Sequence, residues 1–514
     1  MRRPYPPKGH WPSITTLAAM IPALLRNGLA DETSVLVFHE ATGYNGAVLA
    51  EEFDPILRVE LLLKTRGLLI ASVLLGILFV TARDVNAQAF QLLHTFDSGY
   101  ADGGLTRGLD GFFYGIIDPS CETCEGAVFK MEINGTFTTI ASFHHLDAYG
   151  TTINGILPAG DGNFYGTTEE NGAYDEGTVF RLTTNGIWTT LFSFHDSTGS
   201  APKAGLVQDS NGNLYGTTFA GGTNGGGTVF RISTNGVLTT LVSLNPSTGV
   251  GPSAALLEVD GNFYGTTSDD GGADRYGTIF RLTPNGEITR LASFDYFNSG
   301  YFCSGQLVRA RDGALYGTTH IGGMFSGTVF KVTTNGFLTT LASFDGTNGA
   351  VPYAGLVEAI DRRFYGTTTG GGFDDWGTVF RVTTNGALTA IFEFDHNGTN
   401  GVSPFDPLVQ GTDGNLYGTT PGFSIPGAPG EPDRMIKGTI FRIVFPSLEI
   451  NRAANGIVLS WPTNQVGFTL QWATNLNSSA TWMNSTSSPV TSGERFAITN
   501  VASEIMRFYR LIKP

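Results

Sequence analysis

Asn213-Leu214-Tyr215-Gly216-Thr217-Thr218, followed nine residues later by Gly227-Thr228-Val229-Phe230-Arg231, decides the fold of this 514-residue chain. Each run alternates apolar and small polar residues, and each is bounded by Gly and Asn, the pattern of short strands. Working outward, Leu206–Asp209 reads as a first strand (a), 213–218 as b, 227–233 as c and Val237–Leu244 as d. Asn211-Gly212 joins a to b and Asn235-Gly236 joins c to d. Asn-Gly and Asp-Gly are strong hairpin signals because type I′ turns need positive φ at both central residues.

The unit recurs. Tyr-Gly pairs stand at Tyr114, Tyr165, Tyr215, Tyr264, Tyr316, Tyr365 and Tyr417, 49 to 52 residues apart. A Gly-Thr-Val/Ile-Phe motif follows each pair, ending at Phe129, Phe180, Phe230, Phe280, Phe330, Phe380 and Phe441, with Ala127 replacing Thr in the first copy. The c–d turn is Asn-Gly in all six complete copies, and the a–b turn is mostly Asp-Gly (Asp161, Asp260, Asp312, Asp413), although Asp361-Arg362 departs. Four strands per fifty residues, seven times over, predict an all-β chain built as a seven-bladed β-propeller across residues 88–445. The seventh repeat lacks strand d, whereas Leu93-His94-Thr95-Phe96-Asp97 matches the strand-d run Leu341-Ala342-Ser343-Phe344-Asp345. The N-terminal run is therefore expected to complete the last blade and close the ring, leaving no open sheet edge.

Composition agrees. Sixty-nine glycines, 12% aromatics and only 15% charged residues describe short strands and tight turns rather than a disordered chain. A net charge of −15 argues against binding nucleic acid. Three cysteines make no disulfide framework.

Ahead of the repeats, Lys64 and Arg66 precede the apolar run Gly67–Val80, and Val85-Asn86-Ala87 offers small residues for a signal peptidase. Residues 63–87 read as an export signal cleaved after Ala87, which leaves no membrane span in the mature chain. The alternative is a retained single-pass anchor. Residues 1–62 show no repeat and read as an unassigned extension, which a misassigned start near Val59 would explain. The expected location is secreted or at the cell surface.

The tandem runs resemble the GloVer repeat family of bacterial exported proteins, a choice-of-anchor group. The resemblance rests on Asn213–Thr218, Gly227–Arg231 and their counterparts over roughly residues 90 to 445. It implies export and surface display more than any one activity. This chain departs from the anchored members in showing no apolar span or sorting motif at its C-terminal end.

Residues 446–514 carry alternating runs and three of the six tryptophans, Trp461, Trp472 and Trp482. They read as a small β-sandwich-like domain, loosely like fibronectin type III, that serves as a sorting or glycan-binding module or simply as a β domain with a tryptophan core.

In a propeller the a–b and c–d turns share one face and the b–c and d–a loops the other. The first face is uniform here and the second variable, so a ligand is expected on the second. Trp376 and Tyr276 hold the same b–c position, with Tyr174 and Phe325 in neighbouring loops and Tyr353 entering a strand a; such aromatics either bind a sugar or protein ligand or pack between blades. The residues entering strand a are small (Gly103, Ala204, Ala254, Gly305, Ala354), with only Asn154 and Asp406 polar. Asp406 is thus the one candidate acid for the alternative of a polysaccharide-acting enzyme, and a structural surface or adhesion component is a third reading. Asp97, Asp295, Asp345 and Asp395 cap turns rather than gather round a metal, and no cofactor or metal motif is present. Cys121 and Cys124 suit a local disulfide, and Cys303 reads as free. The expected partner is a glycan or protein bound by a monomer.

Overall fold

The computed structural model describes residues 47–48, 61–62, 89–96, 100–118, 125–144, 153–269, 276–295, 298–323, 326–395, 397–425, 434–445, 449–453, 456–462, 469–473, 482–492, 495–501 and 508–512. The export-signal reading of residues 63–87, most of the extension before it, Asp97, Cys121, Cys124 and Phe325 lie outside these. Among the described residues there is no helix, and hence none long and apolar enough to cross a membrane. The chain divides into two compact units, one of them Phe90–Val444 and the other Met1–Ala89 with Phe445–Pro514.

The unit Phe90–Val444 is a succession of seven four-stranded sheets. The first comprises Tyr100–Arg107, Phe113–Asp118, Glu125–Met131 and Phe137–His144, and the third Val207–Gln208, Leu214–Thr218, Thr228–Ile232 and Leu238–Ser243. Each of the first six runs a, b, c, d in chain order with antiparallel neighbours. In the seventh, Val409–Gln410, Leu416–Thr420 and Thr439–Val444 are joined by Ala89–Thr95, which takes the place of strand d. One backbone bond shows the equivalence. The amide after strand d donates to the Gly before strand c from Phe194 to Gly177, Leu244 to Gly227, Phe294 to Gly277, Phe344 to Gly327 and Phe394 to Gly377, and Phe96 donates to Gly438 at 3.0 Å in the same way.

The register explains the repeated motif. Gly216 pairs with Phe230 across strands b and c. A Cβ on Gly216 would stand 2.6 Å from Cζ of Phe230, so Gly is required for the Phe ring to fold over strand b. The Tyr beside it packs on the next sheet's aromatic: Tyr114 on Phe164, Tyr215 on Phe263 and Tyr316 on Phe364, with centroids 4.1 to 4.9 Å apart. Tyr417 of the seventh sheet meets Phe113 of the first in the same manner at 4.3 Å. These repeated Tyr and Phe residues are all buried and form the core between sheets, where each large ring removes about 150–250 Å² from water.

A second polar layer lies at the other end of strands b and c. Threonine hydroxyls meet in pairs, Thr218 with Thr228, Thr368 with Thr378 and Thr420 with Thr439, at 2.8 to 2.9 Å. The second member of each also donates to a d–a loop carbonyl, that of Thr198, Asn348 or Asn400. Both hydroxyls are thus satisfied although buried.

The C-terminal residues form two sheets. Glu449–Ala453, Gly456–Pro462, Arg495–Val501 and Val490–Ser492 make one, and Met483–Asn484, Thr469–Ala473 and Phe508–Ile512 the other. Leu459, Trp461, Leu470, Ile498 and Tyr509 are buried. Trp461 therefore fills a core, whereas Trp472 and Trp482 are half-buried.

Candidate functional site

The face bearing the a–b and c–d turns is held by one device. The Tyr of strand b donates its hydroxyl to the Asp of its a–b turn: Tyr114 to Asp110, Tyr165 to Asp161, Tyr215 to Asp209, Tyr316 to Asp312, Tyr365 to Asp361 and Tyr417 to Asp413, at 2.6 to 3.1 Å. A base from strand c, directly opposite the Tyr, completes the group; Lys331 lies 2.7 Å from Asp312 and Lys130 3.2 Å from Asp110. The sequence reading took these turns as backbone geometry alone. The Asp–Tyr–base groups are found only through the register, since Asp and Tyr lie four to six residues apart and the base about fifteen further on.

Burial pushes the carboxyls of Asp110, Asp161, Asp209 and Asp312 up, but hydrogen bonds from Tyr, Asn or Lys and from turn amides outweigh it and hold each below the ordinary 3.8. Burial and the Asp partner push the Tyr165 and Tyr316 hydroxyls up to about 12. Asp361 is the exception, because burial raises its carboxyl despite Tyr365 and the nearby arginines. A carboxyl lowered on folding contributes stability that is complete above its unfolded value and lost as pH falls through its folded value. Tm is therefore expected to decline below pH 3.8, and Asp312→Asn is expected to flatten that decline in melts from pH 6 to 2.5. Asp361 works in the opposite sense.

The b–c/d–a face is less regular. The residue immediately before the Pro or Cys that leads into strand a is turned sharply: Ala201 (φ 50), Phe302 (φ 56), Val351 (φ 56) and Ser403 (φ 47) all adopt left-handed backbone. For a bulky or β-branched residue such as Phe302 or Val351 this is an outlier, held only because surrounding bonds over-determine it. Those bonds are visible. The amides of Ala201, Val351 and Ser403 donate to carbonyls of the preceding sheet's b–c loop, Glu176, Ser326 and Trp376, and the carbonyls of Ala201, Phe302 and Val351 accept from Phe219, His320 and Thr369 at the end of strand b. Each loop is thus clamped between two sheets.

Of the candidate binding residues, Tyr174 is exposed and meets the His195 ring edge-on at 5.4 Å. Tyr276 is half-buried, packs against the core of its sheet and lies 5.6 Å from Tyr301. Trp376 is half-buried, and its carbonyl accepts from Ser403. Both are thus partly open to solvent beside contacts that join neighbouring sheets. Tyr353 is 43% exposed, and two further aromatics on this face are exposed to a similar degree, Phe302 (41%) and Phe405 (44%). The Tyr353 ring lies 5.6 Å from Phe405 and 3.8 Å from His320.

Asp406 accepts a 2.9 Å hydrogen bond from Thr419, its backbone carbonyl accepts from Thr367, and its side chain packs where a Cβ on Gly104 would stand. Asp295, Asp345 and Asp395 accept amides of their own turns, from Asn298, Thr347 and Asn397. Among the described residues no three His, Cys, Asp or Glu side chains gather as metal ligands. Cys303 is a free thiol, fully buried, which pushes its pKa up to about 12.

In structure the chain is similar to a gluconolactonase of Xanthomonas campestris (10% identity, TM-score 0.36, covering 70% of this chain and 91% of that one). It is also similar to a protein of unknown function from Dyadobacter fermentans (11%, 0.36, 70% and 100%) and to an endo-1,4-beta-xylanase of Bacteroides thetaiotaomicron (13%, 0.30, 48% and 96%). No curated protein matches in sequence. The sequence does match the Gloeobacter/Verrucomicrobia repeat over residues 100–325 and 297–455. Those matches span the strand-b and strand-c motifs of all seven sheets, and the chain belongs to the Gloeobacter/Verrucomicrobia repeat family.

Proposed function

We propose that this is an exported glycan-recognition protein. Its seven sheets are the blades of a propeller sealed by the strand Ala89–Thr95, its C-terminal sheets form an accessory sandwich, and its ligand sits on the b–c/d–a face. The carrying observation is the contrast between faces. One is locked by Asp–Tyr–base groups, whereas the other holds exposed aromatics on loops strained at Phe302 and Val351. A rigid scaffold presenting variable loops is where binding concentrates, and exposed aromatic rings offer flat apolar surfaces of the kind that stack on sugars. The signal-like run at residues 67–80 supports export, and the charge of −15 supports a ligand other than a polyanion.

A glycan array probed with the full chain tests the reading. Binding is expected to fall when Tyr174, Tyr276 and Trp376 are changed together to Ala, and to survive Ile187→Ser, Val237→Ser and Phe337→Ser on the opposite face. The reverse pattern, or a blank array, overturns it.

A further inference from the structure

Resting on that reading, we infer that the ligand is a neutral saccharide held by an arc of four residues, Ser253, Ser304, Tyr353 and Phe405, with His320 beneath. These four occupy one register position in consecutive sheets, each three residues before a buried leucine: Leu256, Leu307, Leu356 and Leu408. The first strands of successive sheets approach closely at this level, since a Cβ on Gly305 would stand 2.6 Å from the Gly355 amide. The arc therefore passes from two serine hydroxyls to two aromatic rings. Hydroxyls of Ser253 and Ser304 lie 3.4 Å apart, and the rings of Tyr353 and Phe405 meet edge to face beside them. The strained, exposed Phe302 stands in the loop that enters the Ser304 strand.

His320 supplies the second observation. It is only 7% exposed, its ring hydrogen-bonds the Tyr353 backbone, and its Nε2 has no hydrogen-bond partner among the described residues. A buried polar atom left unpaired carries a desolvation cost. Burial also lowers its pKa to about 4, so the ring is neutral at pH 7 and the unpaired nitrogen is left to accept. The ring of Tyr353 covers it at 3.8 Å. The unpaired acceptor therefore lies directly against the ring that offers the stacking face.

Neutrality of the ligand follows from the charges nearby. The one cation at this register position, Lys203, is held by Glu169 at 3.0 Å and lies over the Phe219 ring. The carboxylate next to the arc, Asp406, accepts from Thr419. Nothing in the arc compensates an anionic sugar, and the chain's overall charge repels one. Serine hydroxyls, a histidine acceptor and two aromatic faces match a ring that has hydroxyls on its rim and C–H groups on its flat side.

The test is calorimetry on the full chain with neutral hexasaccharides of glucose, mannose and xylose, and with hexagalacturonate as the charged probe. At least one neutral probe is expected to bind. Tyr353→Ala and Phe405→Ala are each expected to weaken it about tenfold or more, with Tm unchanged because both side chains are exposed. His320→Phe keeps the buried ring and removes the acceptor; it is expected to weaken binding similarly without lowering Tm. Phe337→Ser on the opposite face leaves binding intact. Binding that ignores the three arc changes but is lost with Trp376→Ala and Tyr276→Ala overturns the arc while leaving the wider glycan reading in place. Binding of hexagalacturonate alone overturns neutrality, and binding of no probe overturns the inference.

Discussion

Removing residues 90–96 is expected to lower Tm by on the order of 10 °C and to make the protein self-associate. Phe90 stacks on Phe392 at 3.8 Å and Phe441 at 5.3 Å, Phe96 is buried, and Leu93 packs into the same core. Losing three such side chains costs about 2–4 kcal/mol each, and a unit of this size shifts by roughly 1–2 °C per kcal/mol. Arg442, which is almost buried, also loses Gln91 from 2.6 Å. The backbone of Thr439–Val444 then becomes an open edge that pairs with other copies. Differential scanning calorimetry with light scattering measures both effects. A synthetic peptide of residues 88–97 added in trans is expected to restore part of the Tm and suppress association. An unchanged melt would show that the seventh sheet does not depend on this strand.

Gly317→Ala is the second large effect. The added Cβ would stand 2.5 Å from Cζ of Phe330 and 3.1 Å from Cδ2 of Leu307, two side chains that are themselves buried. Overpacking of this kind costs about 1–3 kcal/mol. Gly160→Ala is the control, because its nearest neighbour would be 3.7 Å away. Phe330→Leu removes the ring atom that clashes. On its own it leaves a cavity, and together with Gly317→Ala the two are expected to cost less than their sum by about 1 kcal/mol or more. Strict additivity in urea melts would mean that Tyr-Gly and Val-Phe recur for separate reasons.

Much of the architecture was legible because its signals are local. Tyr-Gly, Asn-Gly and Gly-Thr-Val-Phe each lie within a few residues, and their spacing alone placed strands a to d of the third sheet within one or two residues of Val207–Gln208, Leu214–Thr218, Thr228–Ile232 and Leu238–Ser243. The match of Leu93–Phe96 to a strand d was legible for the same reason. What escaped depends on register. Asp312, Tyr316 and Lys331 form one group only because Tyr316 pairs with Lys331 across the sheet. Thr420 finds Thr439 across nineteen residues and an intervening loop. The candidate site was harder still. Trp376 and Tyr276 stand out in sequence as large aromatics in variable loops. Phe302 and Phe405 look unremarkable in sequence; they become prominent because the left-handed turns at Phe302 and Ser403 bring that stretch of chain to the surface.

The seam within the seventh sheet also sets an order of events. Ala89–Thr95 leaves the ribosome long before Thr439–Val444, its partner about 350 residues downstream. Contacts between such distant segments form slowly, because a long loop must close first. It follows that the earliest strand waits, unpaired, for the last one. A product cut short before Thr439 leaves Ala89–Thr95 without its partner strand and is expected to be more open to proteolysis. Pairing of the first strand with Thr439–Val444 is thereby expected to come last, after the six intervening sheets have been made.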